Sequence, residues 1–247
     1  GLYRDVNLLI VPNAHFALDR MGSPMLKVTP VVSEDLISAT VAVEAWVSGS
    51  AESAVVTVDG QEQTASVSCG RAQAVFGLAH PHLWDGLDDP YLYTAYARIP
   101  NGDEAEVQFG CRRFAIDPER GFLLNNCPYR LIGAARHQDR ARLGNALTRA
   151  EHEEDIATLL EMGATSVRLA HYQHAQYFYD LCDQRGLIAW AEIPCITEHL
   201  PTARANALSQ MEELVSQCYN HPSIFCWGLS NEITVAGGVT EELVETH

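Results

Sequence analysis

The spacing of apolar residues changes once along this 247-residue chain, near Pro118. Before that point, short apolar runs alternate with polar turns. Alternate residues from Val41 to Val47 fall on one face of a strand, and Asp59-Gly60 is typical of a two-residue hairpin turn. Strands that recur every 8–15 residues or so over about 100 residues predict an antiparallel β-sandwich of immunoglobulin-like size.

After Pro118 the pattern becomes strand, then helix, repeatedly. Thr148 and Glu151 form a capping-box signal for the first helix, and Gly163 and Gly186 are stop signals for the first two helices. Alternating strands and helices predict right-handed crossovers and a parallel sheet. We place its four strands at 131–135, 166–170, 187–191 and 224–229.

A complete (β/α)₈ barrel needs about 250 residues, and positions 118–247 supply roughly half of that. The second region is therefore either a small open α/β domain or the first half of a TIM barrel. We predict a linker strand and immunoglobulin-like β-sandwich over residues 1–117, followed by the half barrel over 118–247. In the sandwich, Trp46 is expected to lie inside.

Composition excludes several classes of partner. The net charge of −16 disfavours nucleic acid and anionic membrane surfaces, and no apolar run approaches the roughly 20 residues of a membrane span. Seven cysteines without a CxxC pair favour reduced thiols, so we expect a cytoplasmic protein. The start at Gly1, with neither Met nor a leader, is expected to be a boundary within a longer protein.

Polar groups follow each strand of the predicted parallel sheet, and carboxyl ends of parallel strands meet at one edge. Each group alone has a structural explanation, such as a carboxylate at a helix N-terminus or a histidine bonded to a carbonyl. Four neighbouring strand ends together favour a functional site. The candidates are Arg136, His137, Gln138 and Asp139 after the first strand, Arg168 and His171 on the second, Glu192 on the third, and Asn231 and Glu232 after the fourth.

A metal site and a cysteine nucleophile are the alternatives. His171 and His174, with Glu198 and His199, are typical ligand types, and a helper divalent cation near Glu198, His199 and Glu232 stays open as the lesser interpretation. No cysteine stands at a strand end facing a histidine, so the cysteines are interpreted as packing residues.

The motifs occur in an order that resembles glycoside hydrolase family 2, and within it the β-galactosidases rather than the β-glucuronidases or β-mannosidases. The resemblance covers essentially the whole chain. It is carried by GLYRDV at 1–6, DPYLY at 89–93, GFLLN at 121–125, RHQD at 136–139, VRLAHY at 167–172, WAEIP at 190–194 and WGLSNE at 227–232.

This resemblance implies a fragment of a retaining exo-glycosidase that hydrolyses terminal non-reducing β-D-galactose residues. Glu232 matches the general acid/base, Asn231 the amide that binds the sugar 2-hydroxyl, His137 and His171 the lining of the sugar subsite, and Arg168 a brace of the pocket floor. The family's nucleophile Glu is expected beyond His247, so the isolated chain is expected to be inactive. Alternatives are a β-glucuronidase of the same family and a non-catalytic module that binds glycans or partners.

For ligands and partners, the sequence requires no cofactor and leaves room for Mg²⁺ in the intact enzyme. A β-galactoside carbohydrate is the expected substrate. The open edges of a half barrel would expose unpaired backbone and apolar faces, so a homo-oligomer is expected.

Overall fold

A computed structural model describes residues 3–197 and 200–234, and its N-terminal part consists of two four-stranded antiparallel sheets. One sheet joins β1, β2, β3 and β6, and the other has the order β5-β4-β7-β8. Apolar side chains from both sheets form one core, as in a β-sandwich. The strands are β1 (His15–Phe16), β2 (Leu26–Val32), β3 (Ser38–Ser48), β4 (Ser53–Val58), β5 (Gln61–Ser66), β6 (Arg71–Ala79), β7 (Tyr93–Arg98) and β8 (Glu104–Phe109).

Strand β3 explains why the expectation for Trp46 is wrong. Its residues alternate strictly, and Ala45 and Val47 point into the sandwich core. With a side-chain period of two, Trp46 must point to the opposite face. There the Arg20 guanidinium lies 4.0 Å from the centroid of the Trp46 ring.

The predicted hairpin is present, and one strand that the sequence pattern did not predict contains a proline. Asp59 and Gly60 have φ of 49° and 72°, as a type I′ turn requires, and they join β4 to β5. Sequence reasoning missed β2, which contains Pro30. Proline is tolerated in β2 because that strand pairs on one side only, with β3.

The second region contains a small antiparallel sheet and a parallel sheet. The small sheet, in the order β11-β10-β9, leads into four parallel strands in the order β12-β13-β14-β15. Helices connect successive parallel strands, which confirms the predicted first half of a TIM barrel. The elements are β9 (Phe114–Asp117), β10 (Gly121–Leu124), β11 (Cys127–Pro128), β12 (Gly133–Arg136), α1 (Arg149–Glu161), β13 (Ser166–Leu169), α2 (Gln176–Arg185), β14 (Ile188–Glu192), a 3₁₀ turn (Pro201–Ala203), α3 (Arg204–Cys218) and β15 (Ile224–Gly228).

Helix boundaries follow the predicted signals. The Glu151 carboxylate accepts hydrogen bonds from the backbone N–H and the hydroxyl of Thr148, at 2.7 and 2.6 Å. Gly186 ends α2 in the left-handed conformation, with φ of 76°. None of the helices described is long and apolar enough to cross a membrane.

Register assigns the two faces of the parallel sheet. Leu169 and Ala191 pair with each other and pack in the core beneath the helices. Arg168 and Trp190, paired one position earlier, therefore point to the opposite face, which we call the inner face. At the base of that face Ile188 packs against side chains that precede the parallel sheet in the chain, among them Trp84 and Leu124.

Hydrogen bonds between side chains of one region and backbone groups of the other join the two regions. The Asn220 amide accepts from the Val28 N–H and donates to the Leu26 carbonyl, both at 2.9 Å, so it acts as a partner for the edge of β2. Arg112 donates to the carbonyls of Pro222 and Ile224. Burial lowers the pKa of this guanidinium to about 10. The boundary at residue 117 stays a prediction.

Candidate active site

The carboxyl ends of β13, β14 and β15 bring together polar side chains on the inner face. Arg168 lies in β13, and Glu192 is the last residue of β14. Asn231 lies three residues past β15, where its backbone N–H donates to the Cys195 carbonyl at 2.8 Å and its carbonyl accepts from the Thr197 N–H at 2.9 Å. These two bonds fix the position of Asn231 beside the end of β14.

Four of these residues form what we call the inner cluster, namely Arg168, His171, Glu192 and Asn231. Glu192 is 1% exposed and lies at its centre. Arg168 donates to both Glu192 oxygens, from Nε to Oε2 at 2.9 Å and from Nη2 to Oε1 at 3.0 Å. His171 Nδ1 lies 2.7 Å from Oε1, and Arg168 Nη2 also donates to Asn231 Oδ1 at 2.8 Å.

The remaining two predicted site residues flank the inner cluster. The His137 and His171 rings lie 5.1 Å apart, edge to face. Glu232 follows Asn231 in the chain, with φ of 55° and an exposed side chain. Within residues 3–197 and 200–234, no hydrogen bond or ion pair engages its carboxylate. The structure therefore places all five predicted residues at one edge, and their catalytic and binding roles stay predictions.

From the sequence, Glu192 was one of the candidate polar groups at the strand ends and had no assigned role. The strand pattern does contain a signal for its importance. Glu192 is two residues after Trp190, so both side chains lie on the face to which Arg168 points. A charged residue at that position needs a partner of opposite charge, because an unpaired buried carboxylate is costly.

A second group of charged and polar side chains lies on the helix side of the sheet. This outer cluster consists of Arg136, Arg140, His152, Asp155 and His174. Arg136 donates to Asp155 Oδ2 from Nε at 2.9 Å and from Nη2 at 2.6 Å. It also donates to ring nitrogens of His174 and His152, at 2.9 and 3.0 Å, while Arg140 bonds Asp155 Oδ1 at 2.6 Å.

Burial and Arg136 hold the two outer histidines in the neutral form. Burial, aided by the Arg136 charge, lowers the pKa of His174 to about 3 and lowers that of His152. His174 Nε2 donates to the Ala170 carbonyl at 3.1 Å, so Nδ1 is free to accept from Arg136. Although burial alone would raise the pKa of Asp155, its bonds from Arg140 and Arg136 lower it.

This arrangement bears on the metal alternative. His171 belongs to the inner cluster and His174 to the outer one, so the two histidines do not share a ligand site. Glu198 and His199, which we considered with Glu232, lie outside the described residues. Among the residues that the structure describes, no three His, Cys, Asp or Glu side chains converge in a metal-binding arrangement.

Comparison with known proteins assigns this architecture to a family. The model for "Glycosyl hydrolases family 2" matches residues 25–112, and the model for "Glycosyl hydrolases family 2, TIM barrel domain" matches residues 115–246. The chain belongs to glycoside hydrolase family 2.

Individual relatives carry two different activity names. A beta-glucuronidase of Bacteroides fragilis is 36% identical over 99% of this chain, and beta-galactosidase BoGH2A of Bacteroides ovatus is 30% identical over 73%. A crystal structure of an FMN-binding beta-glucuronidase from Facaelibacterium prausnitzii L2-6 is 39% identical over 96% of this chain, with a TM-score of 0.88. The chain spans 39%, 23% and 38% of those three proteins, respectively.

Proposed function

We propose that this chain is part of a retaining exo-β-glycosidase in which Glu232 is the general acid/base. The observation that carries this proposal is the pair Asn231 and Glu232 at the carboxyl end of β15. Asn231 is anchored by Arg168 and by two backbone bonds, whereas the Glu232 carboxylate is exposed beside it. A rigid amide next to an exposed carboxyl suits a site that binds a sugar hydroxyl and protonates the glycosidic oxygen.

The neighbouring groups support a sugar subsite. The His137 ring lies 5.1 Å from the His171 ring, and Arg168 braces the base of the cluster through its bonds to Glu192 and Asn231. A retaining mechanism needs a second carboxylate about 5 Å from the first. Glu192 is already engaged by Arg168 and His171, so we assign the nucleophile to a part of the enzyme that this chain does not span.

Two sugars are candidates for the subsite. The motif resemblance favours a terminal β-D-galactoside. Two relatives that match nearly the whole chain, at 36% and 39% identity, are named beta-glucuronidase. On that observation we place a β-D-glucuronide first and a β-D-galactoside second. Recognition of a C6 carboxylate would need a cation other than Arg168, whose Nε and Nη2 already bind carboxylate and amide oxygens.

The decisive test replaces Glu232 with Ala in the complete gene product. Glycosides with poor leaving groups need protonation, so their kcat/KM should fall about 10²–10⁴-fold. Activated nitrophenyl glycosides should still form the glycosyl-enzyme, and added azide should restore turnover and give the β-linked azide. An α-linked azide would identify Glu232 as the nucleophile instead, and absence of rescue would remove it from the reaction.

Controls complete this experiment. Glu161→Ala removes an exposed carboxylate at the end of α1 and should match the wild type. Comparing kcat/KM for nitrophenyl β-D-glucuronide and β-D-galactoside ranks the two sugars. No hydrolysis of either substrate by the wild-type gene product would favour the non-catalytic binding module.

A further inference from the structure

The geometry points to Glu192 as a positioning residue that fixes the hydrogen-bonding polarity of Asn231 and His171. This inference rests on the proposed function, because it assigns a role to Glu192 within the same site. Glu192 does not face the substrate side of the cluster, since its side chain is almost fully enclosed. It acts through the groups that it holds.

The first step concerns Arg168. A guanidinium has only donors. Glu192 fixes the orientation of the Arg168 guanidinium because its two carboxylate oxygens accept from Nε and Nη2. With the fork fixed, Nη2 has one further hydrogen, which is directed to Asn231 Oδ1 at 2.8 Å. The Asn231 atom facing Arg168 must be the oxygen, because arginine cannot accept. The Asn231 NH₂ group is then left to donate to a substrate hydroxyl.

The second step concerns His171. Its Nδ1 lies 2.7 Å from Glu192 Oε1 and 3.4 Å from Arg168 Nη2. The shorter contact is with a carboxylate, which can only accept, so Nδ1 carries the proton. In the neutral ring this leaves Nε2 as an acceptor for a sugar hydroxyl. Glu192 therefore determines one donor, on Asn231, and one acceptor, on His171.

The third step is that no neutral isostere can replace Glu192. Both of its oxygens face donors: Arg168 Nε on one side, and Arg168 Nη2 with His171 Nδ1 on the other. A glutamine would place its NH₂ group against at least one of these donors. The Arg168 fork would then turn, and Asn231 would lose its fixed orientation.

The experiment compares Glu192→Gln with Asp155→Asn in the complete gene product. Asp155 is the matched control, because its carboxylate also accepts from arginine donors at both oxygens but belongs to the outer cluster. We expect Glu192→Gln to lower kcat/KM about 100-fold, the size of effect that a displacement near 1 Å produces, and Asp155→Asn to change it less than about threefold per folded molecule. Equal losses in both variants would reduce Glu192 to a structural role.

A 2-deoxy glycoside provides a readout that a merely structural defect would not move. If part of the loss passes through Asn231 and the sugar 2-hydroxyl, removing that hydroxyl should shrink the Glu192→Gln effect from about 100-fold to about 10-fold. An unchanged factor would overturn the positioning role. Glu192→Gln should also slow activated and poor leaving groups equally, whereas Glu232→Ala should affect the poor ones more.

A crystal structure of the Glu192→Gln protein separates this inference from the proposed function. If Glu232→Ala retains full activity, the proposed function fails. The crystal structure of the Glu192→Gln protein then decides the role of Glu192 without any activity measurement. We expect the Arg168–Asn231 contact to open beyond hydrogen-bonding distance. Unchanged contacts among Arg168, His171 and Asn231 would overturn the inference.

Discussion

The inner and outer clusters both combine arginine, histidine and a carboxylate at the same end of the parallel sheet, yet they face opposite sides of it. In each one, a carboxylate accepts from arginine at both oxygens, and histidine rings complete the network. The donors are Arg168 alone in the inner cluster and Arg136 with Arg140 in the outer cluster. Arg168 is paired with Ala135, and Arg136 with Leu169, so the two arginines differ by one step in register. That single step directs Arg168 to the inner face and Arg136 toward the helices.

The histidines show what the difference means chemically. Arg136 donates to His152 and His174, so both rings must present an unprotonated nitrogen and stay neutral. His171 instead faces the Glu192 carboxylate and must present a proton. The outer cluster thus uses histidine to satisfy a buried cation, whereas the inner cluster leaves an Nε2 and an amide available to a ligand. Similar composition serves stability on one side and, as we propose, catalysis on the other.

The largest effect that would sharpen this contrast is on stability. In Asp155→Asn an amide NH₂ group replaces one carboxylate oxygen and lies against an arginine donor. The buried Arg136 guanidinium also loses the negative charge that compensates it. We expect the free energy of unfolding to fall by about 3 kcal/mol at neutral pH. Chemical denaturation of the complete gene product measures this. Glu154→Gln is the control, since Glu154 also pairs with Arg140 but is 67% exposed, and it should cost less than about 1 kcal/mol.

The pH dependence of that loss has a defined sign. The pKa of Asp155 is lowered in the folded state, so its ion pairs stabilise the fold above the unfolded-state pKa of about 4. This stabilisation disappears as the pH falls through the folded pKa. The gap between wild type and Asp155→Asn should therefore be full at pH 7 and close in strong acid. A gap that is independent of pH would contradict the ion-pair explanation.

Much of the fold could be predicted because it depends on local patterns. A few neighbouring residues are enough to determine each of these patterns. They are the alternation in β3, the Asp59-Gly60 turn, and the helix signals at Thr148 and Gly186. Strand β2 was missed because Pro30 is acceptable only at a sheet edge, and being an edge is a property of the whole sheet. Trp46 was misplaced, although the alternation of Ala45 and Val47 already assigns it to the opposite face of β3.

The sequence predicted where the residues of the candidate site lie, at the strand ends, better than it predicted which side chains contact one another. Position near the end of a strand or just after it placed His137, Arg168, His171 and Asn231 at one edge, as the structure shows. The hub at Glu192 was not found, because its importance depends on which side chains from other strands reach it. The sequence also could not separate His171 from His174, three residues apart, although they lie in different clusters.

Gly228 offers a way to disturb Glu192 and its neighbour Trp190 on the inner face. An added Cβ would lie 2.4 Å from Trp190 Nε1 and 2.6 Å from Glu192 Cβ, so Gly228→Ala must displace one of them. We expect a stability loss of about 1–3 kcal/mol and a clear fall in kcat/KM. Gly77→Ala is the control, because open space surrounds that position in β6. Wild-type activity in Gly228→Ala would show that the inner cluster tolerates displacement.

The smallest expected effect tests the neutral histidines of the outer cluster. The pKa of His174 is about 3 in the folded state, mainly because of burial, against about 6.5 in an unfolded chain. Below pH 6.5 the unfolded chain binds a proton that the folded protein excludes, so stability falls with decreasing pH down to about pH 3. The slope contributed by His174 approaches 1.4 kcal/mol per pH unit at most.

His174→Gln removes this titration, so the stability of the variant should depend less steeply on pH between 6.5 and 5. Lost contacts would lower its stability by a similar amount at every pH and would leave the slope alone. The exposed His80→Gln variant is the matched control and should keep the wild-type slope. Equal slopes for His174→Gln and wild type would mean that His174 is charged in the fold, which its contact with Arg136 Nη1 forbids.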